Sequence, residues 1–545
     1  MNLFTVFILS LFLTIALVPV FKSLAFRINL VDMPDSRKVH VMPMPRSGGI
    51  AMALGAIVPV LFWVPMDNLV RAVHMGCFLI VAFGVVDDIK NLKYMQKFFA
   101  QIVGAMVVIF YGGIRIEFLG NLVPAGFVLP FFVSVVLTLV FIVGVTNAIN
   151  LSDGLDGLAG GISVLSFVTI GFFAYQCENM ALALMSVAVA GAILGFLRFN
   201  TYPAQVFMGD AGSQMLGFLC AVFTLILTQC NTAYSQVTPL FLIGFPIIDT
   251  LVVMVGRISK GGSPFRADKN HFHHKLLNLG FFHSESVFII YFLQAVFISL
   301  AFLFRFYSNG TNLLVFIVIA GIIILLFEMA RRKQFKVRNG GGAYLGAKSV
   351  LAVFAGERLS IRIFFGILKW GMALVFIVQC ILIEEMPGYM GWGAVFFAAL
   401  ILGIKRFRPE IKKEVLRVSL YCAIPFLLYF STTGMADWMT GRMIRVNNMA
   451  FIGLVVFVIA TLNLTRRQKG FKINPLDFLV IIVIIVFPNL PSVHLENPLI
   501  KLVVAKILIL FFSYDVLLGE IRDEDTFLDK SLVAAFFVIA LKGFL

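Results

Sequence analysis

The sequence predicts an all-α, polytopic integral membrane protein, on the evidence of its composition and of the length of its apolar stretches. Hydrophobic residues make up 60% of the 545 residues, charged residues only 13%, and the mean hydropathy is +1.00. Apolar stretches of about 20 residues recur along the chain, the length with which an α-helix crosses a bilayer. Because these stretches are continuous rather than alternating, they indicate helices and not the strands of a barrel. An ordinary soluble domain is excluded.

About 11 of these stretches precede residue 331, and about seven more follow residue 361. The first begins at Leu3 with no basic residue before it and no clear cleavage site, so we predict a retained helix and not a signal peptide. The helices predicted in the first part of the chain cover residues 3–24, 48–65, 72–87, 97–111, 126–147, 161–176, 180–197, 213–230, 236–256, 286–304 and 311–330.

Three regions follow from this pattern: a membrane-embedded core at 1–330, a basic cytoplasmic linker at 331–361, and an additional transmembrane region at 362–545. The linker contains Gly340-Gly341-Gly342 but lacks the spacing of a Walker A phosphate loop. The additional region has no acidic or histidine motif comparable to those of the core, and the sequence predicts no role for it.

The distribution of basic residues predicts the orientation in the membrane. A net charge of +15 would suggest a nucleic-acid partner in a soluble protein. Here the basic residues collect in alternate loops, while the opposite loops of the core hold only Arg71, Arg115 and Arg305. The richer side is cytoplasmic by the positive-inside rule, so we expect membrane lipids and no nucleic acid as partners. The six cysteines have no Cys-x-x-Cys spacing and are predicted to be free packing residues.

Every polar motif of the core falls on this cytoplasmic side. Asp87 and Asp88 end the third predicted helix, where the helix dipole disfavours carboxylates. A metal ligand, a general base and a solvated helix end all fit this pair. The most specific motif repeats polar residues at a spacing of three, which would place them on one face of a helical turn; a cap needs only one such residue. Its members are Asn147, Asn150, Asp153 and Asp156.

Two further motifs contain possible ligands for a metal or a phosphate. Asp210 precedes the eighth helix and could be its N-cap or a Mg²⁺ ligand, and Phe207 beside it could line a flat ring or simply pack. The third motif contains His271, His273 and His274, with Arg266 just before them. We favour a clamp for an oxyanion or phosphate here, with a zinc site and a histidine cluster without a role as the alternatives.

Taken together and in this order, the motifs resemble the polyprenyl-phosphate N-acetylhexosamine-1-phosphate transferase superfamily, glycosyltransferase family 4. The resemblance covers about residues 1–330. Its elements are Pro45 to Gly49, Asp87-Asp88, Lys97 to Gln101, Asn147 to Gly157, Asn200 with Phe207 to Ser213, Asp249, and the histidine loop. The Ser263-Pro264-Phe265 element and the His-Phe-His-His arrangement are similar to the bacterial undecaprenyl-phosphate GlcNAc-1-phosphate transferases. The peptidoglycan branch has three consecutive histidines, which disfavours phospho-MurNAc-pentapeptide as the transferred group.

The resemblance implies that an N-acetylhexosamine-1-phosphate, GlcNAc-1-phosphate above all, passes from a UDP-N-acetylhexosamine to undecaprenyl phosphate, with UMP as the other product. This would be the first membrane step of a cell-envelope polysaccharide, at the cytoplasmic face of a bacterial inner membrane. The implied cofactor is Mg²⁺, or Mn²⁺ in its place, and a homodimer is an option that the sequence leaves open.

The resemblance also implies a role for each motif. Asp87 is the expected base, Asp88 is expected to position metal or lysine, and Asp210 is the expected metal ligand. Lys97, Arg266 and His273 are expected to neutralise charge on the phosphates, with His273 also in the catalytic set. Asp156, Asn200 and Phe207 are expected to hold uracil, and Asn147 and Asp153 to shape the nucleotide-sugar pocket, with Asp88 and Asp153 also in the catalytic set. Lys38, Asn150, His271 and His274 complete the expected substrate-binding residues.

Two other classes of function remain as alternatives. Acidic residues in a membrane protein also mark ion-coupled transporters, which favour acids at mid-depth, broken helices and repeated halves. Here the acids cluster at one surface and no convincing internal repeat is visible. A catalytically inactive scaffold is the third class, against which the intact acidic set argues.

Overall fold

The computed structural model confirms an all-α, multi-pass membrane protein. It describes residues 2–33, 43–124, 126–230, 232–259, 261, 271–332, 358–383, 388–407, 412–433 and 440–464, parts of 502–517, and 527–544. The described residues divide into two compact units, one within Met1–Asn339 and the other within Gly340–Ile473 and Val483–Leu545. The region boundaries at 330 and 361 stay predictions.

The first unit contains thirteen described helices and a minimal hairpin. The strands β1 (Val31–Asp32) and β2 (Met44–Pro45) pair antiparallel. A π-helical turn, Val107–Tyr111, continues α4, and a 3-10 turn lies at Gly120–Leu122. The helices are α1 (Asn2–Arg27), α2 (Gly48–Trp63), α3 (Asn68–Lys90), α4 (Tyr94–Met106), α5 (Phe131–Leu151), α6 (Leu158–Gln176), α7 (Met180–Asn200), α8 (Gly209–Gln229), α9 (Thr238–Leu242), α10 (Gly244–Ile258), α11 (Phe272–Asn278), α12 (His283–Phe304) and α13 (Asn309–Arg332).

Within the described part of the chain, nine helices are long and apolar enough to cross a membrane, and all of them lie in this unit. They match nine of the predicted segments, and the predicted helix at 48–65 is present as the shorter apolar helix α2. The stretch predicted as one helix over 236–256 differs, because α9 and α10 meet at a break at Ile243. Pro246 accounts for the break, since in a continuous helix its ring would collide with the carbonyl group of Leu242.

Helix α8 lies at the centre of the unit, and its apolar stretch is buried throughout. Small residues let two neighbouring helices approach its first turn. A Cβ atom added at Gly49 of α2 would lie 2.3 Å from the backbone nitrogen of Gly212, and one added at Gly84 of α3 would lie 2.4 Å from the Cα of Ala211. The start of α8 is therefore enclosed by backbone from α2 and α3.

The hairpin fastens the end of the basic loop to the segment before α8. The amide of Phe207 donates to the carbonyl of Pro45 at 2.8 Å, and the amide of Gly48 donates to the carbonyl of Phe207 at 3.0 Å. Gly49 repeats the pattern with the carbonyl of Met208 at 2.9 Å. Lys38, a predicted substrate-binding residue, belongs to the stretch between the two strands and lies outside the described residues.

A polar network joins several elements at the end of α8 and the start of α13. The acidic residue Asp210 lies at the other end of α8. The side-chain amide of Asn309 donates to the carbonyl of Leu119 at 2.9 Å and to Gln236 Oε1 at 2.8 Å. The backbone N–H of Asn309 donates to Asn121 Oδ1 at 2.7 Å. Gln229, the last residue of α8, accepts the amide of Glu117 at 3.1 Å. The connection between α4 and α5 is thereby held to α8 and α13.

The second unit has five described helices around an apolar core: α14 (Arg358–Leu382), α15 (Gly388–Phe407), α16 (Lys412–Thr433), α17 (Gly441–Leu464) and α18 (Phe527–Phe544). The buried amide of Gln379 donates to Asn447 Oδ1 at 2.8 Å and accepts the Ser431 hydroxyl at 2.9 Å, which joins α14, α16 and α17. The other segments predicted for 362–545 fall in 465–526, largely outside the described residues. Five of the six cysteines are free as predicted, and the side chain of Cys422 is not among those described.

Candidate active site

The two neighbouring carboxylates at the end of α3 have different surroundings. Asp88 is buried, and its two oxygens accept the backbone N–H groups of Asp210 at 3.0 Å and Ala211 at 3.2 Å. The Asp88 carboxyl group therefore lies at the positive end of the α8 dipole, with Arg46 3.8 Å away. The unfavourable position at the end of α3 is offset by a favourable one at the start of α8, so Asp88 positions the first turn of α8.

Asp87 instead shares a lysine with Asp210. The ammonium group of Lys97 lies 2.5 Å from Asp87 Oδ2 and 2.7 Å from Asp210 Oδ2. The other oxygen of Asp87 accepts the amide of Leu92 at 2.8 Å and closes the end of α3. The side chains of Lys97 and Asp210 are 31% and 27% exposed, whereas that of Asp87 is 3% exposed. The cluster is thus open to a ligand on the side of Lys97 and Asp210.

Side-chain amides hold the end of α5 against α4 and α8. Asn147 donates to Gln101 Oε1 at 2.7 Å, and Gln101 donates to Gln214 Oε1 at 3.0 Å. Asn150 Oδ1 accepts the hydroxyl of Ser213 at 2.5 Å. Asn147 and Asn150, both predicted to bind substrate, therefore have part of their hydrogen-bonding capacity committed to this network. No sequence motif includes Gln214, and only its contact with Gln101 in three dimensions reveals its role.

The motif at spacing three does not stay on one helical face, because α5 ends at Leu151 and Asp153 and Asp156 belong to the following turn. Asp156 Oδ2 accepts the amide of Ala204 at 3.0 Å, and the amide of Asp156 donates to Nε2 of His283 at 3.1 Å. Withdrawal from water and the charges of neighbouring carboxylates, Asp210 first, raise the pKa of Asp153 to about 7. Asp153 therefore keeps its proton to a higher pH than an exposed aspartate does.

Asn200 holds this turn from the end of α7. The amide of Gly157 donates to Asn200 Oδ1 at 3.0 Å, and Asn200 Nδ2 donates to the carbonyl of Val206 at 2.9 Å. The hydroxyl of Tyr291 donates to the carbonyl of Gly157 at 2.6 Å. Gly157 has φ +80°, a left-handed conformation that favours glycine. The buried Asn200 thus shapes the turn, and the half-buried Phe207 follows Val206.

The histidine loop reaches the same turn. Nδ1 of His271 lies 3.0 Å from Asp249 Oδ2, and the amide of Phe272 donates to Asp249 Oδ1 at 2.9 Å. The His273 ring covers Gly154, where an added Cβ atom would lie 2.3 Å from Nε2. The sequence placed Asp249 among the family motifs without a role, and the structure shows that it anchors the loop.

The charge state of the loop differs from the expectation. Burial, followed by the neighbouring His274, lowers the pKa of His273 to about 4, so its imidazole is neutral at neutral pH. His273 can donate or accept a hydrogen bond but does not supply the cationic charge that was expected of it. The ring of His274 lies 4.2 Å from that of His273, and Arg266 lies outside the described residues.

The donor set suits a hard divalent cation. Among the described residues, five carboxylates converge here against Lys97 and Arg46: Asp87, Asp88, Asp153, Asp156 and Asp210. In the part of the chain that the structure describes, no three or more His, Cys, Asp or Glu side chains are arranged to hold a metal ion by themselves, so substrate oxygens would have to complete a metal site here. Mg²⁺ commonly uses one or two carboxylates together with substrate phosphates, and the partly exposed Asp210 fits that requirement.

Comparison with known proteins shows the family of the chain. The family model described as glycosyl transferase family 4 matches residues 70–228, from α3 to α8. A Bacillus subtilis protein named probable undecaprenyl-phosphate N-acetylglucosaminyl 1-phosphate transferase is 36% identical over 301 residues, 53% of this chain and 82% of the relative. The chain belongs to glycosyltransferase family 4. The resemblance inferred from the motifs is thereby confirmed.

Two other relatives of the family extend the match. The decaprenyl-phosphate N-acetylglucosaminephosphotransferase of Mycolicibacterium smegmatis is 32% identical over 344 residues, 57% of this chain and 84% of the relative. The undecaprenyl-phosphate alpha-N-acetylglucosaminyl 1-phosphate transferase of Escherichia coli K12 is 31% identical over 351 residues, 62% of this chain and 94% of the relative. All three names describe transfer of N-acetylglucosamine phosphate to a polyprenyl phosphate.

Proposed function

We propose that this protein transfers GlcNAc-1-phosphate from UDP-GlcNAc to undecaprenyl phosphate. An oxygen of the lipid phosphate forms a bond to the β-phosphorus of the donor, and the bond from that phosphorus to the bridging oxygen of UMP breaks. The products are undecaprenyl-pyrophosphate-GlcNAc and UMP. The names of the relatives support both the acceptor and the sugar.

One observation carries the proposal: a single partly exposed lysine is held between two carboxylates from different helices. Both reactants are anionic, so their approach requires fixed positive charge at the reacting phosphates. Lys97, held by Asp87 and Asp210, is preorganised to contact an incoming phosphate from the open side of the cluster. Asp87 would accept the remaining proton of the lipid phosphate. That demand is modest because the second pKa of such a phosphate is about 6.

The carboxylates would also hold the cofactor. Asp210 would bind Mg²⁺, or Mn²⁺ in its place, and the bound ion would neutralise charge on the pyrophosphate of the donor. Asp88 accepts the backbone N–H of Asp210 and would therefore position this metal ligand. Added positive charge would favour the ionised form of Asp153, whose pKa is raised by burial and by the neighbouring carboxylates.

The turn at 153–157 and the elements around it would hold the nucleotide sugar. Asn200 and Asp156 shape this turn through backbone contacts, and the half-buried Phe207 offers a ring for the uracil. Asn147 and Asn150 lie beside it at the end of α5. His271, His273 and His274 approach from the other side, where the neutral His273 could donate a hydrogen bond to a phosphate oxygen. Lys38 and Arg266 remain proposed phosphate contacts.

Both the charge distribution and the placement of the site support a position at the cytoplasmic face of a bacterial inner membrane. The carboxylates lie at helix ends: the last turn of α3, the turn after α5 and the first turn of α8. This placement favours surface chemistry over an ion-coupled transporter. The product would be the first lipid-linked intermediate of a cell-envelope polysaccharide.

The direct test is turnover by the purified full-length protein in detergent with undecaprenyl phosphate, Mg²⁺ and a series of UDP-N-acetylhexosamines. We expect UMP and a lipid-linked GlcNAc in equal amounts from UDP-GlcNAc. Efficient use of another UDP-amino sugar but not of UDP-GlcNAc would keep the reaction and contradict the sugar. Failure of the folded protein with every UDP-sugar would contradict the transferase proposal.

A further inference from the structure

We propose that Gln294 of α12 is a positioning residue for the histidine loop. It would act by fixing the break between α9 and α10, from which Asp249 and then His271 take their positions. The proposal rests on the proposed function only where turnover is the readout, and one of its tests does not use turnover.

The break leaves two backbone groups without their helical partners. Pro246 has no N–H group, so it cannot donate to the carbonyl of Leu242, four residues earlier. The amide of Phe245 likewise lies at the start of a new helix, where intrahelical acceptors are missing. Leu242 and Phe245, which carry these two groups, are buried inside a membrane protein, with 0% and 2% of their surface exposed. Unpaired backbone groups there are strongly disfavoured, and broken helices persist where a neighbouring helix pairs them.

Gln294 pairs both groups with one side chain. Its Nε2 donates to the carbonyl of Leu242 at 2.8 Å, and its Oε1 accepts the amide of Phe245 at 3.1 Å. The side chain has no exposed surface. Ser166 of α6 supports the same carbonyl with a hydroxyl bond of 2.6 Å. A primary amide combines a donor and an acceptor in one plane, which is what a free carbonyl and a free N–H three residues apart require.

The position of the break determines where the next turn of α10 lies. Asp249 follows Phe245 by four residues and is buried on α10. Its carboxylate holds both Nδ1 of His271 and the amide of Phe272. His271 precedes α11, whose second residue, His273, covers Gly154 in the turn that contains Asp153. A displaced α10 would therefore displace the imidazole next to the acidic cluster.

Three single variants separate positioning from general packing. Gln294→Leu removes the donor and the acceptor. Gln294→Glu keeps an acceptor and regains a donor only when its carboxyl group is protonated. Ser299→Ala is the matched control, since Ser299 lies on the same helix and its hydroxyl donates to the carbonyl of Ala295 within that helix.

The first measurement is the rate at which diethyl pyrocarbonate modifies His271 in the intact protein, followed by mass spectrometry. We expect Gln294→Leu to raise this rate about threefold or more, because the contact with Asp249 loosens, and Ser299→Ala to leave it unchanged. An unchanged rate in Gln294→Leu overturns the proposal. This readout holds even if the wild type transfers no sugar, so failure of the proposed function is distinguishable from failure of this inference.

The second measurement is a double-mutant cycle on kcat for UMP release with Asp249→Asn. If Gln294 acts through Asp249, each single variant lowers kcat by about tenfold or more, and the double variant falls no further than the worse single variant within about threefold. Independent, multiplying losses overturn the proposal. Where Gln294→Leu fails to fold, Gln294→Glu decides: we expect its kcat relative to wild type to be higher at pH 6 than at pH 8, and a constant ratio overturns the proposal.

Discussion

Removing the Asp88 carboxylate should displace the start of α8 and so disable the site without touching a substrate. In Asp88→Ala, the backbone N–H groups of Asp210 and Ala211 lose their acceptors at 3.0 and 3.2 Å. Each buried donor left unpaired costs about 1–3 kcal/mol, so the two together cost about 2–6 kcal/mol. Asp88→Asn keeps one carbonyl oxygen and should lose about half of that.

The loss would appear in turnover because Asp210 lies in the displaced first turn. If half or more of the 2–6 kcal/mol is expressed in the transition state, kcat falls by about 10- to 100-fold or more in Asp88→Ala, since about 1.36 kcal/mol corresponds to a factor of ten. Asp88→Asn should lie between Asp88→Ala and the wild type. The assay is initial-rate UMP release at saturating donor and lipid, alongside thermal unfolding in the same detergent.

Asp67 provides the matched control at the other end of α3. Its Oδ1 accepts the amide of Val70 at 2.7 Å, so Asp67→Ala also removes an aspartate that caps a helix. We expect a stability loss of about 0.5–2 kcal/mol and an unchanged kcat, because the cap is remote from the acidic cluster. Wild-type turnover in Asp88→Ala, or equal losses in Asp88→Ala and Asp67→Ala, would show that Asp88 does not position the start of α8.

Three further predictions test the charges and the nucleotide pocket. Lys97→Met should lower kcat by about 10²–10³-fold, whereas Lys97→Arg should keep measurable UMP release; equal rates would contradict a role for the positive charge. The raised pKa of Asp153, about 7 against a reference of 3.8, means that the protonated form stabilises the fold and that this stabilisation is lost as the pH rises through about 7. The metal-free protein should therefore melt a few degrees lower at pH 8 than at pH 6, and Asp153→Asn or added Mg²⁺ should reduce that difference; an unaltered difference in both would contradict it. His283→Phe removes the acceptor of the Asp156 amide and should raise KM for UDP-GlcNAc by about tenfold with a smaller change in kcat, and an unchanged KM would count against that contact.

Most of the helical architecture could be predicted from the sequence, because lipid requires long uninterrupted apolar stretches whose backbone is satisfied internally. The break at Ile243 was missed although its signal, Pro246, is visible in the sequence. An apolar stretch over 236–256 predicts a continuous helix only where no proline removes an internal hydrogen bond. The short helix α11 was missed because seven residues give too little periodicity.

The members of the site could be predicted, but their partners could not. Residue type and order identify Asp87, Lys97 and Asp210 as candidate site residues. Only the fold shows that Lys97 lies between carboxylates from two other helices. Asp88 is the clearest case. In sequence it is equivalent to Asp87, but it is one position further along α3, and that rotation directs it to the backbone of α8.

Charge state was the least predictable property, because it depends on burial. His273 was expected to be a cation, but its enclosed position makes it neutral at neutral pH. The supporting contacts of Gln214, His283 and Gln294 join residues that are distant along the chain. No local sequence pattern predicts such contacts, because each of these residues taken alone is compatible with an ordinary polar position in a helix.

The transferase reaction and its metal requirement are tested together by comparing wild type with Asp210→Asn in a UMP release assay with UDP-GlcNAc, undecaprenyl phosphate and increasing Mg²⁺. We expect UMP to form only when lipid, donor and metal are all present. We also expect Asp210→Asn to lose about 10²-fold or more in kcat and to need more Mg²⁺ for its residual rate. Release that does not depend on lipid, or an Asp210→Asn variant with the wild-type rate and the wild-type metal requirement, would contradict metal-dependent transfer to the lipid at this site.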